Sequence, residues 1–435
     1  MITLIEALNF RCLRYISQPL GEFHVLVGPN ASGKTTFLDV VAFLGDLVSG
    51  GLDDALDRRS RNFEDFLFGR NGNSFELVIE ARIPEELQRD ASCWSQSPSA
   101  TIRYAVKIGR SAADSSEVEI LAETVTLKPE NPLVSRIPRQ DFPNPRSWFP
   151  TNLRQDPDRT CARTVVKKTP DRSTFYYSER NPDMLGGWAP SYRLGPRKSA
   201  LGNLPDDESQ FPVSSWFKQL LSQGVQRFVL DSQRMRLASP PGQIRGFKTD
   251  GSNLPWVVER LRSSGSFANG SGHQTSEAFQ DWLSHVRTAL PDIEDIRTIE
   301  REDDRHRYLM LCYSGGLQVP SWMASDGTLR LLALTLPPYL PDFEGIYLIE
   351  EPENGIHPRA VEAVFQSLSS AYRAQILLAT HSPIVLGLVD PIQLLCFAKD
   401  DQGATDIVRG DEHPALADWK QGVELSTLFA SGVLG

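Results

Sequence analysis

Gly28-Pro29-Asn30-Ala31-Ser32-Gly33-Lys34-Thr35 fits the pattern G-x-x-x-x-G-K-[ST] without a mismatch. It stands between an apolar, β-rich run, His24–Val27, and an apolar run of helical character, Thr35–Leu47. That strand–loop–helix setting is what a phosphate-binding loop requires. Glycines let successive backbone N–H groups curl round a phosphate, and the helix N-terminus adds the positive end of its dipole. Lys34 is placed to bridge β- and γ-phosphates, and the Thr35 hydroxyl to ligate Mg²⁺.

Such a loop needs an acidic partner at the end of another strand. Gly345-Ile346-Tyr347-Leu348-Ile349-Glu350-Glu351-Pro352 supplies an apolar strand ending in two carboxylates. Glu350 is placed to hold Mg²⁺ directly or through water, and Glu351 to polarise an attacking water. Both are read as buried strand-end positions, where a carboxylate without a counter-charge is costly; the competing reading is two acids that merely cap a strand. Ala324-Ser325-Asp326-Gly327 precedes a helical run, so Ser325 and the Gly327 amide stand at a helix N-terminus suited to an anion. Thr380-His381-Ser382 follows the apolar strand Gln375–Ala379. Alone, Ser325 reads as a helix cap and His381 as a structural histidine. Their order sets them apart: enough chain separates Ser325 from Glu350, and Glu351 from His381, for one helix and one strand each.

Working outward, Ile2–Phe10 is a further β-rich run, and Phe75–Ile83, Thr101–Lys107 and Glu117–Leu127 alternate apolar and polar residues, as half-exposed antiparallel strands do. Val225–Leu230 is another candidate strand. Helices are expected at Ser214–Gln223, Leu254–Arg262 and Ser276–Leu290; in the last, Phe279, Trp282, Leu283, Val286 and Leu290 form one core face. The final third alternates strands (Tyr308–Tyr313, Gly345–Ile349, Gln375–Ala379, near Gln393–Phe397) with helices (Gly327–Leu336, Pro358–Tyr372). That order implies a parallel sheet covered by helices. Ser263–Gly272 reads as a Gly-Ser loop. No internal repeat or coiled-coil heptad run is present.

Charge refines the picture. The 435 residues carry 45 Lys plus Arg and 55 Asp plus Glu, a net −10. Residues 131–200 alone hold 13 basic and six acidic residues, about +7, so the remainder sums to −17. This Pro-rich stretch reads as long loops or an irregular insertion, either solvated and locally ion-paired or a patch that contacts phosphates or docks a partner. The acidic whole argues against a protein that coats nucleic acid with its entire surface. No apolar run reaches the ~20 residues of a membrane helix, and no secretory signal is visible. Five widely spaced cysteines form no zinc or redox pair, which fits a reducing cytoplasm.

Taken together, five motifs resemble the ABC-type ATPase heads of the SMC-like and OLD-like (overcoming-lysogeny-defect) branch, found as AAA-family ATPases in bacterial defence and repair loci. They are Asn9-Phe10-Arg11, the Walker A loop, the signature Ala324-Ser325-Asp326-Gly327-Thr328-Leu329-Arg330, the Walker B segment running on through Glu353-Asn354-Gly355-Ile356-His357-Pro358, and Ala379-Thr380-His381-Ser382. The resemblance covers residues 1–85 and about 225–400. It implies an α/β P-loop NTPase head of ABC type, with a mixed β-sheet lobe, a helix-covered parallel core and an irregular insertion. The head divides into 1–128 (Walker A and antiparallel lobe), 129–224 (the basic insertion) and 225–435 (signature, Walker B, switch histidine). Asp326 stands where transporters have glycine, which favours the SMC/OLD branch, and Glu350 stands where Walker B usually has aspartate.

By the same resemblance ATP is held by Asn30, Ala31, Ser32, Gly33, Lys34, Thr35 and Thr36, with Arg11 reaching the phosphates. Ser325 and Gly327 contact the γ-phosphate of a second subunit, Asn354–His357 is the D-loop, His381 is the switch histidine, and Mg²⁺ sits on Thr35 and Glu350. Catalysis falls to Glu351, Lys34 and His381. Gln233 is the candidate for the metal-sensing glutamine, with Asp231 and Arg234 as alternatives. The implied activity is ATP hydrolysis in a dimer glued by two nucleotides. OLD-type nucleases carry a Toprim domain after the switch histidine, and the 54 residues left here are too few for one. The expectation is therefore a cytoplasmic sensor or scaffold that works with a separately encoded effector, a nuclease in phage defence, and touches no membrane. The alternative is a DNA-binding repair or recombination ATPase that grips the phosphate backbone through 131–200; a small-molecule metabolic enzyme lacks a second catalytic constellation.

Overall fold

In chain order the strands are β1 (Ile2–Phe10), β2 (Leu13–Pro19), β3 (Phe23–Val27), β4 (Ser74–Arg82), β5 (Ala100–Arg110), β6 (Val118–Pro129), β7 (Arg163–Lys168), β8 (Ser173–Tyr176), β9 (Ser191–Arg193), β10 (Val225–Phe228), β11 (Ile293–Glu300), β12 (Arg307–Tyr313), β13 (Gln318–Pro320), β14 (Gly345–Glu350), β15 (Ala374–Ala379), β16 (Leu394–Lys399) and β17 (Thr405–Arg409). The computed structural model describes residues 1–90, 100–111, 114, 116–130, 139–144, 148–153, 162–180, 191–244, 246–263 and 275–417. Met1–Val225 with the described residues from Pro391 onward form one compact unit, and Gln226–Asp390 a second.

In the first unit an eight-stranded antiparallel sheet runs β2-β1-β4-β5-β6-β7-β8-β9. β3 pairs in parallel with β16, and β17 runs antiparallel beside β16. The helix Lys34–Gly50 buries Phe37, Val40, Val41, Phe43, Leu44 and Leu47. Phe43 joins Phe10, Phe66 and Phe75 in an aromatic cluster with ring centroids 5.1–6.5 Å apart, a spacing that favours edge-to-face and offset contact.

Two expectations change here. Alternation in β4–β6 predicts one wet face, yet Glu76, Glu80, Arg103 and Lys128 are buried. Arg103 lies 2.6 Å from both Glu6 and Glu80, Lys128 lies 2.7 Å from Glu80, and Lys107 lies 3.2 Å from Glu76. Leu153 closes this face, packed with Val78 and Ala105. Its N–H donates to Glu76 (2.7 Å), and its carbonyl accepts from Arg103 (2.8 Å). Binary alternation cannot distinguish charges in water from charges that neutralise one another. Nor is 129–224 irregular throughout, for it carries β7, β8, β9 and the helix Pro212–Gln223. Lys168, one of the thirteen basic residues of 131–200, is a buried donor to the carbonyls of Gly195 (3.1 Å) and Lys198 (2.7 Å).

In the second unit β14 lies between β10 and β15. β14 and β15 are parallel, in register from Gly345↔Ala374 to Glu350↔Ala379, and β11, β12 and β13 form an antiparallel sheet. The helices Leu254–Ser263, Glu277–Ala289, Asp326–Thr335 and Pro358–Ser369 match the expected periodic runs. Phe279, Trp282, Leu283 and Val286 are buried as one face, while Leu290 falls just past the helix end. Beyond Ser263 the Gly-Ser stretch lies outside the described residues, as do Cys93 and Cys161; Cys12, Cys312 and Cys396 are free thiols. Among the described residues no helix is long and apolar enough to cross a membrane.

Candidate functional site

The first unit carries the phosphate loop. β3 ends at Val27, the loop spans 28–33, and the helix starts at Lys34, where the Phe37 N–H donates to the Gly33 carbonyl (2.9 Å). Gly28 (φ 145°) and Gly33 (φ 109°) occupy backbone regions that side chains resist, and a Cβ on Gly28 would stand 2.2 Å from the Phe397 carbonyl oxygen. Ala31 shares the left-handed region at φ 61°. Lys34 Nζ donates to the carbonyls of Gly28 (2.7 Å) and Pro29 (2.9 Å), which draws its long side chain back over the loop. Asn30, Ala31 and Thr35 are exposed, Thr36 is half-buried, and Ser32 and Lys34 are buried. Ser32 Oγ is a buried hydroxyl without a hydrogen-bond partner among the described residues. A cradle that excludes side chains, a buried cation and an unmatched hydroxyl suit a phosphate group.

Arg11 sits at φ 51° in the β1–β2 turn. Its guanidinium pairs with Asp39 on the Lys34–Gly50 helix (2.9 Å) and stacks near the rings of Phe10 and Phe66. Asp39 also receives Arg59 (2.7 Å). Arg11 is thus tied to the helix that the loop starts.

The second unit carries the carboxylates. Glu350 ends β14 half-buried and pairs with Arg227 of β10. Glu351 is exposed rather than buried, which corrects the reading of two buried acids. Its N–H still donates to the Ala379 carbonyl (2.8 Å), but φ 47° turns the chain out of the strand there. Left-handed backbone at a non-glycine residue costs of order 1 kcal/mol or more and tends to gather at functional sites. Asn354 Nδ2 donates to Glu351 Oε2, and Arg330 Nη1 donates to the Asn354 carbonyl (2.9 Å). Glu353 Oε1 accepts from Thr380 Oγ1 (2.7 Å) and from the His381 N–H (2.9 Å), joining this turn to the switch segment.

Ser325 caps the helix Asp326–Thr335, its Oγ accepting the Thr328 N–H (3.1 Å). A Cβ on Gly327 would lie 2.6 Å from the Gly355 carbonyl oxygen, so the signature turn and the D-loop-like turn approach backbone to backbone. Asp231 caps a short helix by accepting from the N–H groups of Gln233 (2.9 Å) and Arg234 (3.2 Å), and Arg234 pairs with Asp250 (2.9 Å); the Gln233 side chain is exposed. No cluster of three metal-ligating side chains occurs among the described residues.

The family model described as "AAA domain, putative AbiEii toxin, Type IV TA system" matches residues 23–149 and 189–387. The chain belongs to this AAA-domain family. Its motifs resemble those of the SMC-like and OLD-like ATPase heads of ABC type. A curated relative, the OLD nuclease of Thermus scotoductus (strain ATCC 700910 / SA-01), is 37% identical over 79 residues, or 18% of this chain; the chain spans only 14% of that protein's length. Solved structures similar in shape include an Smc head bound to the C-winged helix domain of ScpA (TM-score 0.49, 13% identity, covering 94% of this chain and 97% of that one). Others are an Smc head domain with an extended coiled coil bound to the C-terminal domain of ScpA derived from Pyrococcus furiosus (0.47, 12%, 94% and 95%) and the SMC head domain from Thermotoga maritima (0.38, 11%, 94% and 98%).

In this AAA-domain chain the matched residues contain the phosphate loop, Ser325, Gly327, Glu350, Glu351 and His381, but neither Arg11 nor β17. Sequence reading gave no role to Arg227, Glu353, Arg330 or Thr405. Glu353 and Arg330 stand inside the quoted motifs; Arg227 and Thr405 act across long stretches of chain and leave no local signal.

Proposed function

We propose that this AAA-domain chain binds Mg²⁺–ATP on the Gly28–Thr36 segment and hydrolyses it, dimerises around the nucleotide, and serves as sensor or scaffold for a separately encoded effector in phage defence. The observation that carries the reading is the buried Lys34 folded over Gly28 and Pro29 beside the unmatched Ser32 hydroxyl. Backbone N–H groups of Asn30–Thr36 and the Lys34 ammonium bind and orient the phosphates, with Arg11 the further cation on this side. Thr35 and Glu350 are the residues that would hold Mg²⁺, which supplies charge neutralisation across the β- and γ-oxygens when bound. Glu351 orients the attacking water; Asn354 holds one of its carboxylate oxygens and leaves the other to accept a proton. His381 steadies the γ-phosphate from the switch segment. Ser325 and Gly327 offer a helix N-terminus to the nucleotide of a second copy.

The defence role draws on the family's description as a putative toxin of a type IV toxin–antitoxin system, and on a partial relative named a nuclease. Positive charge in 131–200 lends less support to a DNA-gripping surface. Arg139 pairs with Asp406, Arg172 with Glu119 and Arg197 with Asp53, while Lys168 is buried against carbonyls.

The test is Glu351→Gln with Mg²⁺–ATP, followed by phosphate release and mass photometry. Turnover should fall by about 10²-fold or more, as loss of a water-orienting base does, and the nucleotide-bound dimer should accumulate. Hydrolysis at the wild-type rate would remove Glu351 from this role.

A further inference from the structure

β17 braces the phosphate loop from a side that the motif does not describe. Thr405, 4% exposed, donates its Oγ1 to the Ser32 carbonyl (2.8 Å) and its N–H to the Cys12 carbonyl (2.9 Å). A Cβ on Gly33 would come within 2.3 Å of Thr405 Oγ1, so the two residues are fitted to each other. The Ser32 carbonyl and the Gly33 N–H belong to one planar peptide and point in opposite directions. Anchoring that carbonyl on Thr405 therefore fixes the Gly33 N–H to point away from Thr405.

The neighbouring Asp406 is equally committed. Arg139 Nη1 lies 2.9 Å from each of its carboxylate oxygens, and the N–H groups of Asn144 (3.0 Å) and Ile407 (2.9 Å) donate to it. Arg139 also donates Nη2 to the Ile407 carbonyl and its N–H to the Glu412 carbonyl, both at 2.9 Å, and Phe142 packs edge-on against His413. Residues 139–144 form no helix or strand, so these contacts with β17 and the turn after it hold them to the unit. Adjacent residues of a strand face opposite sides. One dipeptide thus touches the loop on one side and the basic segment on the other.

We propose that Thr405 is a positioning residue for the phosphate loop, and that Asp406 couples the 139–144 segment to the nucleotide state of that loop. The proposal rests on the assignment of 28–36 as the nucleotide site. Mg²⁺–ADP, which needs no turnover, is the probe, read by calorimetry and by hydrogen exchange of 139–144.

Thr405→Val keeps the shape and removes the donor, and should weaken ADP about fivefold, the worth of one ordinary hydrogen bond. Thr405→Ser keeps the donor and should stay within about twofold of wild type. In the wild type ADP should slow exchange of the 139–144 amides. Asp406→Asn should lose that response while holding ADP affinity within about twofold. Wild-type affinity in Thr405→Val, equal losses in the Val and Ser variants, or exchange in 139–144 that ignores ADP would each overturn the proposal. Lys34→Ala separates the two levels: if it binds ADP as tightly as wild type, the nucleotide-site assignment itself falls; if it loses binding while Thr405→Val does not, only the Thr405 role falls.

Discussion

Lowering the pH from 8 to 5 should cost the first unit about 2 kcal/mol through one side chain, His24 of β3. The ring is 4% exposed. Its Nε2 lies 2.7 Å from the Gly21 N–H and its Nδ1 lies 3.0 Å from the Gln393 carbonyl. A backbone N–H can only donate, so Nε2 accepts, and the single proton sits on Nδ1 and is given to Gln393. A second proton would set Nε2–H against N–H. Burial drives the pKa from 6.5 down to about 4, with the Gln393 hydrogen bond pulling it back and Arg409 pushing it lower.

The unfolded chain therefore takes up its proton around pH 6.5 and the native protein only near pH 4, so stability is full above both values and falls as pH drops between them. At pH 5 the unfolded histidine is almost wholly protonated and the native one about a tenth so, which gives about 2 kcal/mol. In a unit of this size that is roughly 4–8 °C in melting temperature. Scanning calorimetry of wild type and His24→Gln at both pH values isolates the effect. Burial also holds the His413 pKa below its ordinary value, but that contribution cancels in the comparison. Wild type should lose roughly 4–8 °C more than the variant; equal losses would refute the argument.

Lys34→Ala should weaken ATP about 10- to 100-fold, the worth of one to two charge-assisted contacts, and unchanged affinity by calorimetry would contradict the loop assignment. Ser325→Arg should leave ATP binding intact and abolish the ATP-dependent dimer, because the guanidinium intrudes on the second copy's site; mass photometry that still shows the dimer would count against the sandwich. Arg103→Met leaves Glu6 buried without its cation and Glu80 with Lys128 alone, and should destabilise the first unit by about 3–5 kcal/mol. A melting temperature within a degree or two of wild type would mean that the network carries no such weight.

What was legible in the sequence follows from how local each interaction is. The phosphate loop is a contiguous strand–loop–helix whose residue pattern is local, so Gly28, Gly33 and Lys34 could be read directly, whereas the Thr405 contact that holds the Ser32 carbonyl could not. β14, β15 and the helices between 326 and 369 announced themselves by unbroken apolar runs and helical periodicity. The charged face of β4–β6 could not be read, because Arg103 and its two glutamates look like solvent-facing residues until folding brings them together. Nor could the partner of Arg139, which stands 267 residues from Asp406.

Glu350 shows how such a long-range pair alters a chemical argument. From the sequence alone, two acids at the end of an apolar strand imply a cation to offset their desolvation. Folding supplies that cation from within: Arg227, 123 residues upstream, pairs with Glu350, and Glu351 escapes burial through its left-handed backbone. The carboxylates therefore need no metal to be stable, and the case for Mg²⁺ rests on the nucleotide site proposed at Gly28–Thr36. A single carboxylate already partnered by arginine is a weak site for a hard cation, and Mg²⁺ is usually held by one or two carboxylates together with phosphate oxygens and water. Metal and nucleotide should consequently bind as a pair, with Mg²⁺ affinity low in the absence of ATP or ADP and rising when either is added.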